Sequence, residues 1–74
     1  MKTIKEMLIE NTGTKKQVYL WLGDEIISYH ENCDACYKSI SFKLLSCKCK
    51  EIKLADDDLN IDISIKDFKN NFKI

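Results

Sequence analysis

Residues 30–49 have the sequence HENCDACYKSISFKLLSCKC and contain all four cysteines and the only histidine of the 74-residue chain. The cysteines form two close pairs, Cys33-x-x-Cys36 and Cys47-x-Cys49, with ten residues between the pairs. Two thiol pairs separated by a hairpin-sized segment can place four sulfurs around one tetrahedral zinc ion. The spacing therefore predicts a structural zinc centre with Cys33, Cys36, Cys47 and Cys49 as its ligands.

The second pair departs from the Cys-x-x-Cys spacing that most zinc ribbons use. If Cys47 and Cys49 lie on a strand, both sulfurs point to the same face and can still chelate one ion. His30 lies three residues before Cys33 and competes with the cysteines for a ligand position. A ligand set in which His30 replaces one cysteine therefore remains open.

Three interpretations without zinc also remain open. Disulfides require an oxidising compartment, yet the residues that follow Met1 contain no apolar run typical of a signal peptide, so we expect a cytoplasmic protein. A redox pair at Cys33 and Cys36 would lie at the start of a helix after a strand, whereas we expect residues 37–45 to be extended. Four buried thiols could also pack simply as small apolar side chains.

Length and composition favour one small, metal-stabilised domain over residues 1–74. An apolar core of this size barely offsets chain entropy, and structural zinc can contribute on the order of 10 kcal/mol of apparent folding free energy. No run of residues is apolar enough to span a bilayer. All twelve cationic residues are lysines, so the bidentate guanidinium contacts that often recognise phosphate or guanine are absent. Abundant Lys, Asn and Ile indicate an AT-rich source genome, such as a low-GC bacterium or its phage.

Apolar periodicity predicts an α+β fold, with a small, zinc-stabilised, mostly antiparallel sheet and short N- and C-terminal helices. Thr3 and Glu6 match a capping box for a helix over residues 4–11. Alternation predicts a hairpin over residues 17–30, a strand over 40–44, a further strand over 48–54 and a clear strand over 59–65. Phe68 and Phe72 have helical spacing at the C-terminal end.

Residues 56–67 also resemble a calcium-binding EF-hand loop, because oxygen-bearing side chains occupy its ligand positions. Ile61 stands where that loop needs glycine, and Asp67 replaces the usual bidentate Glu. An acidic turn followed by a strand explains more of these residues, and calcium remains the alternative.

Two classes of function are compatible with this sequence, and neither is an enzyme, because no nucleophile and base pair stands out. The first is a protein-interaction module, plausible as a phage or mobile-element inhibitor or regulator of a host protein or nucleoprotein machine. Its predicted partner-binding residues are Tyr19, Trp21, Asp56, Asp57 and Asp58. The second is a nucleic-acid-binding zinc ribbon that uses the lysines of residues 38–53, with Tyr37 or Phe42 for base stacking. Balanced charge and the lack of arginine favour the first.

Overall fold

The computed structural model describes residues 1–73, which form four α-helices and one four-stranded sheet. The helices are α1 (Ile4–Glu10), α2 (Cys33–Ser39), α3 (Phe42–Leu45) and α4 (Ile65–Phe72). The strands are β1 (Gln17–Leu22), β2 (Glu25–His30), β3 (Cys49–Leu54) and β4 (Asp58–Ile63). None of these helices has the length and apolar character needed to cross a membrane. The predicted α+β class is confirmed.

The sheet has the strand order β2-β1-β4-β3 and is mixed. Its two outer pairings, β1 with β2 and β3 with β4, are antiparallel. The central strands β1 and β4 run parallel, with Val18 opposite Leu59 and Leu20 opposite Ile61. We predicted a mostly antiparallel sheet, and the parallel central pair is the difference. Local alternation fixes which residues share a face but not which distant strands become neighbours.

The core lies on one face of this sheet. Side chains alternate along β1 and β4, so the buried residues of both strands point to the same side. These side chains form one buried cluster with residues of α1, α2 and α3, and Phe68 and Phe72 of α4 pack against that cluster. The helices therefore cover one face of the sheet, and the other face, which we call the open face, is left to solvent.

Several predicted elements are confirmed because local chemistry specifies them. In α1, the Thr3 hydroxyl accepts a hydrogen bond from the Glu6 backbone N–H at 3.2 Å, and the Glu6 carboxylate accepts one from Thr3 N–H at 2.9 Å. The β1–β2 hairpin turns at Gly23, whose φ of 64° is in the left-handed region that favours glycine. Residues 58–63 form a strand and not a calcium-binding loop.

The predicted strand between the two cysteine pairs is wrong. Residues 33–39 and 42–45 are helical, and each of these helices begins at a polar cap. The Asn32 side chain accepts a hydrogen bond from Ala35 N–H at 2.8 Å, and the Ser41 hydroxyl accepts one from Leu44 N–H at 3.2 Å. Phe42, which the alternation placed on a buried face, is 75% exposed. Capping therefore decides the structure of this segment.

Candidate metal centre and open sheet face

All four predicted zinc ligands lie in the layer between the helices and the sheet. Cys33 and Cys36 are on the first turn of α2, Cys47 follows α3, and Cys49 begins β3. None of the four residues is more than 4% exposed, and all are free thiols. They belong to one buried cluster, so the fold brings into one core two pairs that are separate in sequence.

The four thiols share this core, but the described structure does not arrange them as a metal site. Among residues 1–73, no three His, Cys, Asp or Glu side chains are grouped so that they could hold a metal ion. The thiol that acts electrostatically on Cys36 is Cys33, and the one that acts on Cys49 is Cys47. Four thiols match the donor chemistry of structural zinc, but within residues 1–73 they are not gathered into a metal-binding group. The zinc centre therefore stays a prediction.

Burial favours the neutral form of every cysteine. It raises the pKa of Cys36 to about 12, with a smaller contribution from Cys33, and the pKa of Cys49 to about 11, with contributions from Glu6 and Cys47. Burial also raises the pKa of Cys33 and Cys47. The metal-free chain therefore holds thiols and not thiolates, and metal binding would have to displace their protons.

Two of the thiols have hydrogen-bond partners that limit this effect. The Cys47 sulfur lies 3.5 Å from the Lys43 carbonyl, to which its S–H can donate, and it accepts a hydrogen bond from the Asn71 amide at 3.4 Å. Hydrogen bonding from Asn71 acts to lower the pKa of Cys47, and Thr14 does the same for Cys33, but burial outweighs both. The core thus accommodates these sulfurs without a charge.

The redox interpretation meets its positional requirement, because Cys33 and Cys36 start a helix that follows strand β2. The sequence disfavoured this position because we expected residues 37–45 to be extended, and that expectation was wrong. A reactive pair also needs an accessible thiolate of low pKa. Cys33 is 1% exposed and its pKa is raised, so the site lacks the electrostatic property on which such catalysis depends.

His30 lies at the end of β2, opposite Val18 of β1. Its Nε2 atom is hydrogen-bonded to the Ser28 hydroxyl. Burial lowers the pKa of His30, which favours the neutral ring. His30 thus has a hydrogen-bond partner on its own strand, and its pairing with buried Val18 places it on the helix-covered face, the face that holds the cysteines.

The predicted aromatic residues lie on the open face, opposite the cysteines. Tyr19 pairs with Tyr29 across β1 and β2, and their ring centroids are 5.0 Å apart. The Trp21 indole N–H donates a hydrogen bond to the Asn60 side-chain oxygen at 2.9 Å. The aromatic rings are therefore fixed by neighbours on adjacent strands while remaining partly exposed.

The acidic segment forms the turn between β3 and β4 at one end of this face. Asp56 and Asp57 are exposed, and Asp58 begins β4 opposite Gln17. The Lys16 ammonium donates hydrogen bonds to the carbonyls of Ala55 at 3.2 Å and Asp56 at 2.7 Å. Lys16 therefore holds the backbone of the turn, and the side chains of Asp56 and Asp57 stay exposed to solvent.

Sequence reasoning missed the residues beside Trp21. A groove of about 330 Å³ runs along the open face and is lined by Trp21, Gly23, Asp24, Glu51, Lys53, Asn60 and Asp62. Alternation from buried Leu59 to Ile63 could have placed Asn60 and Asp62 on the outer face. Glu51 could not have been assigned to the same groove without knowing that β4 lies between β1 and β3.

The lysines that a nucleic-acid-binding zinc ribbon would use are spread over several elements. Lys38 lies on α2, Lys43 on α3, Lys48 between α3 and β3, and Lys50 and Lys53 on β3. Lys53 lines the acidic groove, and Lys38 forms an ion pair with Asp34 at 3.2 Å. Tyr37 and Phe42, which this class would use for stacking, are exposed and adjoin Lys38 and Lys43 in sequence, so this class stays a prediction.

Comparison of the chain with protein-family models, with curated proteins and with solved structures gave no match.

Proposed function

We propose that this chain is a non-catalytic, zinc-binding protein-interaction module that docks a partner protein through its open sheet face. The observation that carries the proposal is that Tyr19 and Trp21 lie together on that face, with Asp58 on the same side. A small domain that leaves fixed aromatic rings partly exposed beside carboxylates has the composition of a binding surface.

In this proposal the two faces of the sheet have different roles. The helix-covered face holds the four cysteines, where zinc would join the α2 turn to the start of β3. Such a cross-link would hold the sheet rigid and so reduce the entropy lost when a partner binds to the opposite face. Zinc therefore supplies stability here and has no part in chemistry.

The source inferred from composition suggests the biological setting. A compact module from a phage or mobile element of a low-GC host would act in the cytoplasm as an inhibitor or regulator of a host protein or nucleoprotein machine. Acidic residues around an aromatic patch favour a partner with a basic surface. Aspartates beside such a patch can compete with a nucleic-acid phosphate for that surface.

Affinity capture from a low-GC bacterial lysate, with and without nuclease, tests the proposal. Wild-type protein should retain a partner protein after nuclease treatment. Trp21→Ala should lose that partner, and combined charge reversal at Asp56, Asp57 and Asp58 should weaken its retention. Lys5→Glu on the exposed side of α1 is the matched control and should retain it.

Direct titration with random DNA and RNA at physiological salt tests the alternative, a nucleic-acid-binding function. We expect weak binding, because a neutral chain with dispersed lysines releases few counterions. Micromolar binding with a steep salt dependence, abolished by Lys48→Glu and Lys50→Glu, would instead establish the nucleic-acid-binding class. Circular dichroism of each variant checks that the fold is intact.

A further inference from the structure

The open face has a row of four side chains, one from each strand of the sheet. Trp21 of β1 lies opposite Ile26 of β2 on one side and opposite Asp62 of β4 on the other. Asp62 in turn lies opposite Glu51 of β3. The row therefore runs from an aliphatic side chain through an indole to two carboxylates. Like charges directly opposite each other on neighbouring strands destabilise a sheet.

The chain does not neutralise these carboxylates by ion pairing. Within residues 1–73 the ion pairs are Lys2–Glu10 on the N-terminal segment and Lys38–Asp34 on α2. The groove beside Trp21 contains a third carboxylate, Asp24, against a single ammonium group, that of Lys53. The groove thus has an excess of negative charge next to an exposed aromatic wall.

Resting on the proposed function, we infer that this groove binds an arginine side chain of a basic segment in the partner protein. A guanidinium is planar, so it can stack on the Trp21 ring while its N–H groups donate to Glu51 and Asp62. An ammonium lacks that planar fork and is held less well at such a site. The neighbouring Tyr19 and Tyr29 rings supply apolar contact for the rest of the segment.

A peptide titration tests this chemistry directly, because Trp21 is the only tryptophan and reports on its own groove. The probes are a short amidated peptide with two arginines at alternate positions and the same peptide with lysine or with uncharged citrulline. We expect the arginine peptide to change Trp21 fluorescence saturably, the lysine peptide to bind more weakly and the citrulline peptide to have no effect.

Isosteric variants of the full chain identify the acceptors. Glu51→Gln and Asp62→Asn each remove one charge while keeping the shape of the side chain. Each should weaken arginine-peptide binding by about two- to fivefold, the range of one partly exposed ion pair. Glu31→Gln is the matched control, since Glu31 is exposed and lies outside this groove, and it should leave binding unchanged.

The outcomes separate this inference from the proposal on which it rests. Equal binding of arginine and citrulline peptides, no binding at millimolar peptide, or unchanged affinity in both acid variants overturns the inference. If the nuclease-resistant partner is nevertheless captured and is lost in Trp21→Ala, the protein-interaction function stands with a different occupant. Weaker arginine-peptide binding in the acid variants, together with weaker capture of the partner by the same variants, supports both.

Discussion

Replacing Cys36 by alanine and by serine distinguishes a zinc ligand from a buried apolar thiol. Cys36 is fully buried on the first turn of α2. In the metal-free chain, alanine removes one sulfur atom from the core and should cost about 1 kcal/mol through the small cavity that remains. Serine should cost more, about 1 to 3 kcal/mol, because it places a hydroxyl among apolar neighbours.

In the presence of zinc both substitutions should cost more than in the metal-free chain, because each also loses the free energy that the metal contributes. A structural zinc centre contributes on the order of 10 kcal/mol of apparent folding free energy, and loss of one of four ligands should remove several kcal/mol of it. Each substitution lowers the free energy of unfolding by one amount without metal and by another with zinc. The difference between these two amounts measures the ligand role of Cys36, because the packing contribution is common to both. Both variants should bind less than one zinc per chain.

Urea denaturation of the wild type and both variants, with added zinc and with excess chelator, gives six free energies of unfolding, and elemental analysis gives the metal content. Ser39→Ala, an exposed substitution on the same helix, should change neither quantity. His30→Ala should keep its zinc. Equal stability of wild-type protein with zinc and with chelator, combined with a mild Cys36→Ala in both, would refute the reasoning and leave the thiols as packing groups. Greater zinc loss in His30→Ala than in Cys49→Ser would show a ligand set that includes the imidazole.

Thr3→Ala should lower the free energy of unfolding by about 1 kcal/mol, because it removes the hydroxyl that caps α1, whereas exposed Lys5→Ala should be nearly neutral. Equal losses in the two variants, measured by urea denaturation, would contradict the capping role. In excess chelator, the free energy of unfolding should be highest below the ordinary cysteine pKa of 9.0. It should fall as the pH rises toward the pKa of folded Cys36, about 12, because the unfolded thiols release protons that the folded thiols retain. Urea denaturation from about pH 8 to about pH 10 tests this trend. A rise in stability over that range would show that burial of the thiols does not determine the pH dependence.

The elements that sequence reasoning predicted are those that local chemistry specifies. The capping box of α1 and the glycine turn between β1 and β2 each depend on a few adjacent residues. The α2 helix was missed because the alternation of Ile40, Phe42 and Leu44 indicated an extended segment and the cysteines were left out of the periodicity. Counted as apolar residues, Cys33, Cys36 and Ile40 recur at i, i+3 and i+7, which is helical spacing.

The candidate surfaces were predicted in part for a related reason. Tyr19 and Trp21 share a face by alternation within one strand, and the structure places them there. Glu51 and Asp62 face each other across the local β3–β4 pair, but they lie beside Trp21 only because β4 also pairs with β1. That neighbour relation is a property of the whole sheet, and no local pattern in the sequence expresses it.

The parallel pairing of β1 with β4 also imposes an order on folding. The β1–β2 hairpin and the β3–β4 pair are local, and hairpins of this kind form in about 1 to 10 μs. Aligning Val18 with Leu59 instead closes a loop through most of the chain, and that step is slower because closure entropy grows with loop length. The cysteine-bearing segment connects the two hairpins, so an ion captured by both thiol pairs before the hairpins dock would shorten the loop that remains to be closed. Metal supply during synthesis would then set how fast the two halves of the sheet meet.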